Sequence, residues 1–200
     1  DAALDELEAA LPALRDEYET TDLRHLYNHI TPGGFSKGSY QRVNLPFHSK
    51  NTSCTGMPPR LCAALKRFES IRSEKDTAAN GELDPGGDPR VVSVRFVLLH
   101  PASVFKLHTA RSNQRLKVHC GIQNPGRVTL QIANLSLPWQ EGHCMLLDTS
   151  YEHAIRSAAD APMRVVLEIK ISHPDLHFAP ELEEDDDETL TGSGPSRPEA

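Results

Sequence analysis

Six side chains in the C-terminal half could do chemistry together: His108, Arg115, Lys117, His119, His153 and Arg164. His108 and His153 are candidates for holding a metal, because neutral imidazole is the commonest metal-binding side chain. Neither belongs to an H-E-x-x-H pair, so a helix-borne zinc site is excluded. The competing reading of each is an ordinary surface or hydrogen-bonded histidine. In Arg115 to Ile122 strict alternation puts Leu116, Val118, Cys120 and Ile122 on one strand face and Arg115, Lys117 and His119 on the other. Three cationic or potentially cationic groups on one face can hold a small dianion through charge-assisted hydrogen bonds; a solvated strand face explains the same spacing. Met163 to Ile171 repeats the pattern, with Arg164, Val166, Glu168 and Lys170 opposite five apolar residues. The guanidinium fork of Arg164 matches a carboxylate in two-point geometry, and periodicity does not decide between a barrel lumen and solvent.

The elements that must position these groups are short β segments. VVSVRFVLL (91–99), QRLKVHCGI (114–122), RVTLQIANL (127–135), HCMLLD (143–148) and MRVVLEIKI (163–171) are separated by the turn signals Asn124-Pro125-Gly126, Glu141-Gly142 and Ala161-Pro162. Such spacing predicts a sandwich or jelly roll. Upstream, Leu4, Leu7, Leu11 and Leu14 recur at helical spacing and predict an amphipathic packing helix over 3–19. The Pro58-Pro59 start signal predicts a second helix over 60–70, and the Gly, Pro and Asp content of 73–89 predicts a surface loop. The expected division is a helical and loop part over 1–90 packed on the same domain, a β core over 91–178, and a disordered acidic tail over 179–200.

Composition narrows the function. The formal charge of −7 comes largely from the ELEEDDDE run at 181–188, and no basic stripe with interleaved aromatics is present. Nucleic acid is therefore not an expected partner. No apolar run approaches the roughly 20 residues of a membrane span. The chain begins at Asp1, so membrane attachment is expected only through a segment not present in this sequence. Among the four cysteines no C-x-x-C occurs, which argues against a structural zinc site. Cys54 and Cys62 flank a short loop and read either as a disulfide or as two reduced thiols. Asn51-Thr52-Ser53 and Asn134-Leu135-Ser136 are glycosylation sequons, a tripeptide common by chance.

Taken in order, HTARSNQRLKVHCGI (108–122), WQEGHCMLLDTSYEHAI (139–155) and MRVVLEIKISHPDL (163–176) resemble the aspartyl/asparaginyl β-hydroxylases. That pattern runs from a His through an Arg-rich strand ending in His-x-Gly, to W-x-x-G, D-x-S-x-x-H, an Arg-bearing strand and a His-Pro. Weaker counterparts, LRDEYET, SYQRVNLPF and CTGMPPRLCAALKRF, extend the resemblance over about 10–178.

The resemblance implies a mainly β fold with flanking helices (α+β), a double-stranded β-helix with N-terminal helices packed outside. It implies Fe(II) held by His108 and His153, with 2-oxoglutarate as cosubstrate held by His119 and Arg164 beside Lys117 and Arg115. Related oxygenases add an Asp or Glu two residues after the first His; here Ala110 stands there, as this family tolerates, with water in its place. Lys117 replaces a usual Arg, and Val97 a Ser that would help hold the distal carboxylate. The Cys54–Cys62 loop has a counterpart that can be disulfide-linked in the secretory lumen of animal cells; the resemblance leaves a disulfide and two reduced thiols both open, and favours a secretory or membrane-anchored location over a cytoplasmic one. The implied activity is a dioxygen-consuming hydroxylation at the β-carbon of an aspartyl or asparaginyl side chain in a protein or peptide, a small disulfide-bearing domain among the candidates. Two alternatives remain: the same chemistry on a free amino acid or small metabolite, and a β-helix binding module without turnover.

Overall fold

The computed structural model describes residues 1–20, 28–30, 35–47, 54, 56–80, 91–110, 112–123 and 126–173. The acidic tail and the sequon at 51–53 lie outside these residues. Helix α1 spans Ala2–Thr20 and buries Ala3, Leu7, Leu11 and Leu14. Asp1 caps it, its carboxylate accepting from the Ala3 amide at 3.1 Å, which satisfies one of the donors a helix start leaves open. Helix α2 spans Pro59–Asn80, with proline in the first turn, where its missing N–H costs nothing. The loop expected from Ser73 is therefore wrong over 73–80: no Gly or Pro interrupts the chain between Arg60 and Asn80, so the helix continues.

Among the described residues eleven strands follow or intervene: β1 (Asn28–Ile30), β2 (Phe35–Lys37), β3 (Tyr40–Leu45), β4 (Val91–Leu99), β5 (Val104–His108), β6 (Arg115–Gln123), β7 (Val128–Ile132), β8 (Leu135–Pro138), β9 (Cys144–Leu147), β10 (His153–Ser157) and β11 (Arg164–Ser172). They form two sheets, ordered β1-β3-β4-β11-β6-β9 and β2-β5-β10-β7-β8. Long strands of the first sheet alternate along the chain with short strands of the second. This is the jelly roll, or double-stranded β-helix, that the sequence led us to expect. The expected segment 127–135 is in fact a hairpin, β7 and β8, turning at Ala133 and Asn134, where Ala133 has φ 49°.

Alternation on β4, β6 and β11 feeds two separate cores. Val94, Phe96, Leu98, Val118, Cys120, Ile122, Val165, Leu167, Ile169 and Ile171 pack under α1 and α2. Tyr40, Val97, Leu99, Phe105, Leu130, Trp139, Leu147 and Val166 pack between the sheets. The helices thus claim the purely apolar face of the large sheet. That leaves its mixed face, with Lys117, His119 and Arg164, directed into the barrel. The choice between lumen and solvent is settled by which face the helices cover.

Candidate active site

His108 ends β5 and His153 begins β10, and the two are direct cross-strand partners. Their rings lie 4.2 Å apart between centroids. Each Nδ1 faces a backbone carbonyl two residues upstream: His108 toward Lys106 O at 2.6 Å and His153 toward Tyr151 O at 3.0 Å. A carbonyl only accepts, so each Nδ1 carries a proton, and it is Nε2 that has the lone pair when the ring binds a metal. Orientation of a ring through the nitrogen opposite the ligating one is the usual support of a metal-binding histidine.

The loop before His153 is fixed by Asp148, whose Oδ1 accepts from the Ser150 amide at 3.0 Å and from the Ser150 hydroxyl at 2.7 Å. This Asx-type turn explains the Asp and Ser of the D-x-S-x-x-H segment. The Ala110 amide donates to Thr149 O at 2.8 Å, tying the segment after His108 to the same loop. Among the described residues no group of three or more His, Cys, Asp or Glu side chains is placed to bind a metal, so His108 and His153 stand as a pair.

Arg164, the first residue of β11, is 1% exposed. Its Nε and Nη1 are buried and have no hydrogen-bond partner. The guanidinium carbon sits 4.0 Å from the centre of the Trp139 ring, a cation–π contact that partly offsets the loss of water. Burial pulls the Arg164 pKa down to about 9, against the attraction of Glu168. The group stays charged at neutral pH, and a buried cation with orphaned donors is costly unless an anion completes it.

Gly121 allows this arrangement. A Cβ there would lie 2.3 Å from Gln140 O. The chain after Trp139 crosses directly over β6, with Gly121 N donating to His143 O and Gly142 N to Gly121 O, each at 2.9 Å. The glycine of His-x-Gly is thus required for close approach, and the crossing carries Trp139 onto Arg164 and His119. The His119 ring stacks on Trp139 with centroids 6.1 Å apart.

One row of the large sheet runs Arg95–Glu168–His119 across β4, β11 and β6. Arg95 Nε donates to Glu168 Oε1 at 2.7 Å, and its second nitrogen also contacts that oxygen. His119 Nε2 donates to Glu168 Oε2 at 3.0 Å. Burial would raise the Glu168 pKa, but Arg95, Lys117 and His119 together hold it well below the ordinary carboxylate range. Burial is also the main reason the His119 pKa is lowered; Glu168 opposes this, while Arg164 and Lys117 reinforce it. Glu168 and Arg95 are the site residues that sequence reasoning missed. The alternation of Met163 to Ile171 puts Glu168 on this face, and a carboxylate in the middle of a largely apolar strand is the signal that marks it.

His108, Lys117, His119, His153 and Arg164 line one cleft of about 600 Å³, its open mouth included, together with Arg95 and Glu168. Arg115 does not line it: it starts β6 opposite Ser172. Val97 lines the cleft as an apolar wall. The opening therefore joins a histidine pair on the small sheet to a cationic floor on the large one.

The chain is similar to known proteins in sequence and in fold. The model of the family described as aspartyl/asparaginyl beta-hydroxylase matches residues 8–174. The aspartyl/asparaginyl beta-hydroxylase of Mus musculus is 27% identical over 128 residues, 64% of this chain and 15% of that protein. The Homo sapiens aspartate beta-hydroxylase domain-containing protein 2 is 34% identical over 85 residues, 41% of this chain and 23% of that protein. The chain thus spans under a quarter of the length of either relative. Among solved structures, a prolyl-4-hydroxylase of Pseudomonas putida superposes with TM-score 0.55 at 15% identity, covering 83% of this chain and 87% of the other. The last likeness concerns the fold alone. With the family model matched across most of its length, the chain belongs to the aspartyl/asparaginyl beta-hydroxylase family.

Proposed function

We propose that this chain is an Fe(II)- and 2-oxoglutarate-dependent dioxygenase that hydroxylates the β-carbon of an aspartyl or asparaginyl side chain in a protein or peptide. The observation that carries the reading is the buried Arg164, whose Nε and Nη1 have no hydrogen-bond partner, in the same cleft as the oriented His108–His153 pair. The donor set fits the proposed groups: two neutral imidazoles for the metal, and Arg164 as the fork for the far carboxylate of the cosubstrate. Lys117 and His119 would face its other carboxylate. Bound there, the iron and 2-oxoglutarate would supply the oxidising power that inserts one atom of dioxygen into an unactivated C–H bond, with the cosubstrate leaving as succinate and carbon dioxide.

The chain's own contribution is positioning and dryness. Val97, Leu130, Leu147 and Ile155 wall the cleft with hydrocarbon, which excludes water and strengthens each charge contact inside. The disulfides Cys54–Cys62 and Cys120–Cys144 favour a secretory or membrane-anchored setting, since such bonds persist in oxidising compartments. The test is incubation with Fe(II), 2-oxoglutarate, air and a panel of Asp- and Asn-containing peptides, including small disulfide-bearing domains. The expected result is succinate release coupled to a gain of one oxygen on Asp or Asn. Oxygen gained only by free amino acids would overturn the substrate class, and no turnover with any substrate would favour a binding module.

A further inference from the structure

Glu168 has no part in the chemistry just described, yet it sits in the cleft. It takes the Nε2 proton of His119 at 3.0 Å and is itself clamped by Arg95. An ionised carboxylate only accepts, so Nε2 of His119 must carry a proton and the neutral ring holds its lone pair on Nδ1. That Nδ1 is buried and has no hydrogen-bond partner. Resting on the reading of a dicarboxylate cosubstrate, we propose that Glu168 is a positioning residue: it commits Nε2 of His119 to the protein, so that the ring can meet the incoming carboxylate only through a protonated Nδ1. Binding the cosubstrate then takes up a proton on His119.

The charges around the ring support that direction. On β11 stand Glu168 and Arg164, on β6 Lys117, and on β4 Arg95, behind Glu168. From β9 the cross-strand neighbour is the uncharged Met145, and His108 and His153 lie on the opposite wall of the cleft. Without ligand, burial, Arg164 and Lys117 keep the imidazole neutral against Glu168. A dianion between Arg164 and Lys117 cancels the effect of both cations and adds a negative neighbour. The ring becomes an imidazolium between two carboxylates, and Nδ1, now protonated, donates to the incoming one. Affinity for the dianion accordingly falls as pH rises through the His119 pKa of the complex, by up to about tenfold per pH unit.

The test is anaerobic calorimetry of the Fe(II)-loaded protein titrated with 2-oxoglutarate at pH 7.5, in two buffers of different ionisation enthalpy. Here the wild type is expected to take up about one proton more per ligand than His119→Gln, the difference isolating this ring from the metal's own ligands. Glu168→Gln is expected to bind with clearly reduced uptake and a flatter pH profile. The Arg95→Gln/Glu168→Gln double variant, which removes both members of the Arg95–Glu168 ion pair together, should behave in the same way and guards against misfolding of the single one. Binding with equal uptake in wild type and His119→Gln, or undiminished uptake in both Glu168 variants, would overturn the assignment while leaving the cosubstrate intact. Absence of any binding heat in the wild type would overturn the cosubstrate and this inference with it.

Discussion

Arg164 is held face-on to Trp139, guanidinium carbon to ring centre 4.0 Å, at the buried end of a cleft whose other wall carries His108 and His153. The aromatic face steadies the cation without using its N–H donors, and Nε and Nη1 are left for something the protein does not supply. A fold that tolerates an incomplete buried charge at this place is storing binding capacity at the expense of stability.

Arg164→Met should separate those two quantities. Removing the unpaired charge while keeping the hydrocarbon stem is expected to stabilise the ligand-free protein by about 1–3 kcal/mol, and to abolish 2-oxoglutarate binding. Arg164→Lys keeps the charge but loses the fork, and should weaken binding by about tenfold or more. Denaturant midpoints and calorimetry read both effects. A destabilised Arg164→Met protein that still binds would show that Arg164 is a structural cation.

Gly121→Ala tests the crossing that seats Trp139. Its Cβ would stand 2.3 Å from a backbone oxygen, so the 139–142 segment must move. A loss of about 1–3 kcal/mol is expected, with weaker 2-oxoglutarate binding, because Arg164 and His119 both lean on the displaced indole. Unchanged stability and tryptophan fluorescence would show that the segment yields freely.

Acid should undo the Arg95–Glu168–His119 row. Glu168 titrates well below the usual range in the folded protein, so its contribution is fully present above the unfolded carboxylate value of about 4.3 and is lost as pH falls toward the folded one. The wild type should lose thermal stability below about pH 4.3 more steeply than Glu168→Gln does. Parallel melting curves of the two proteins against pH would contradict this.

Cys120 and Cys144 are cross-strand partners on β6 and β9, bridged by a disulfide beside His119 and Gly121. Their separation of 24 residues corresponds to about 3 kcal/mol of chain-entropy stabilisation. Peptide mapping without reductant should recover the 120–144 link, and Cys120→Ala/Cys144→Ala should lower the denaturant midpoint accordingly. A midpoint insensitive to reductant would show that these thiols are not joined.

Much of this site is legible from periodicity. Leu116, Val118, Cys120 and Ile122 mark one face of β6 as core, and that alone places Lys117 and His119 together. What periodicity lacks is the identity of the medium on the other side. α1 and α2 bury the apolar face, so the mixed face of β11 becomes lumen, and Glu168 changes from an ordinary surface acid into a buried anion clamped by Arg95. β5 and β10 escape a reading by pattern because each has five residues, too few to show alternation, although they carry both histidines. The Cys120–Cys144 link was equally hidden: it depends on the β6–β9 register, which local spacing does not encode. The run of α2 past Ser73 was masked by neighbouring polar residues that are adequate helix formers.

Iron binding by His108 and His153 and cosubstrate binding by Arg164 are tested together by titrating the metal-free protein anaerobically with Fe(II) and 2-oxoglutarate while recording the visible spectrum. A weak metal-to-ligand charge-transfer band is expected in the wild type, lost in His108→Ala and His153→Ala and needing more cosubstrate in Arg164→Lys. No band at any accessible concentration, or a band that survives loss of either histidine, would contradict it.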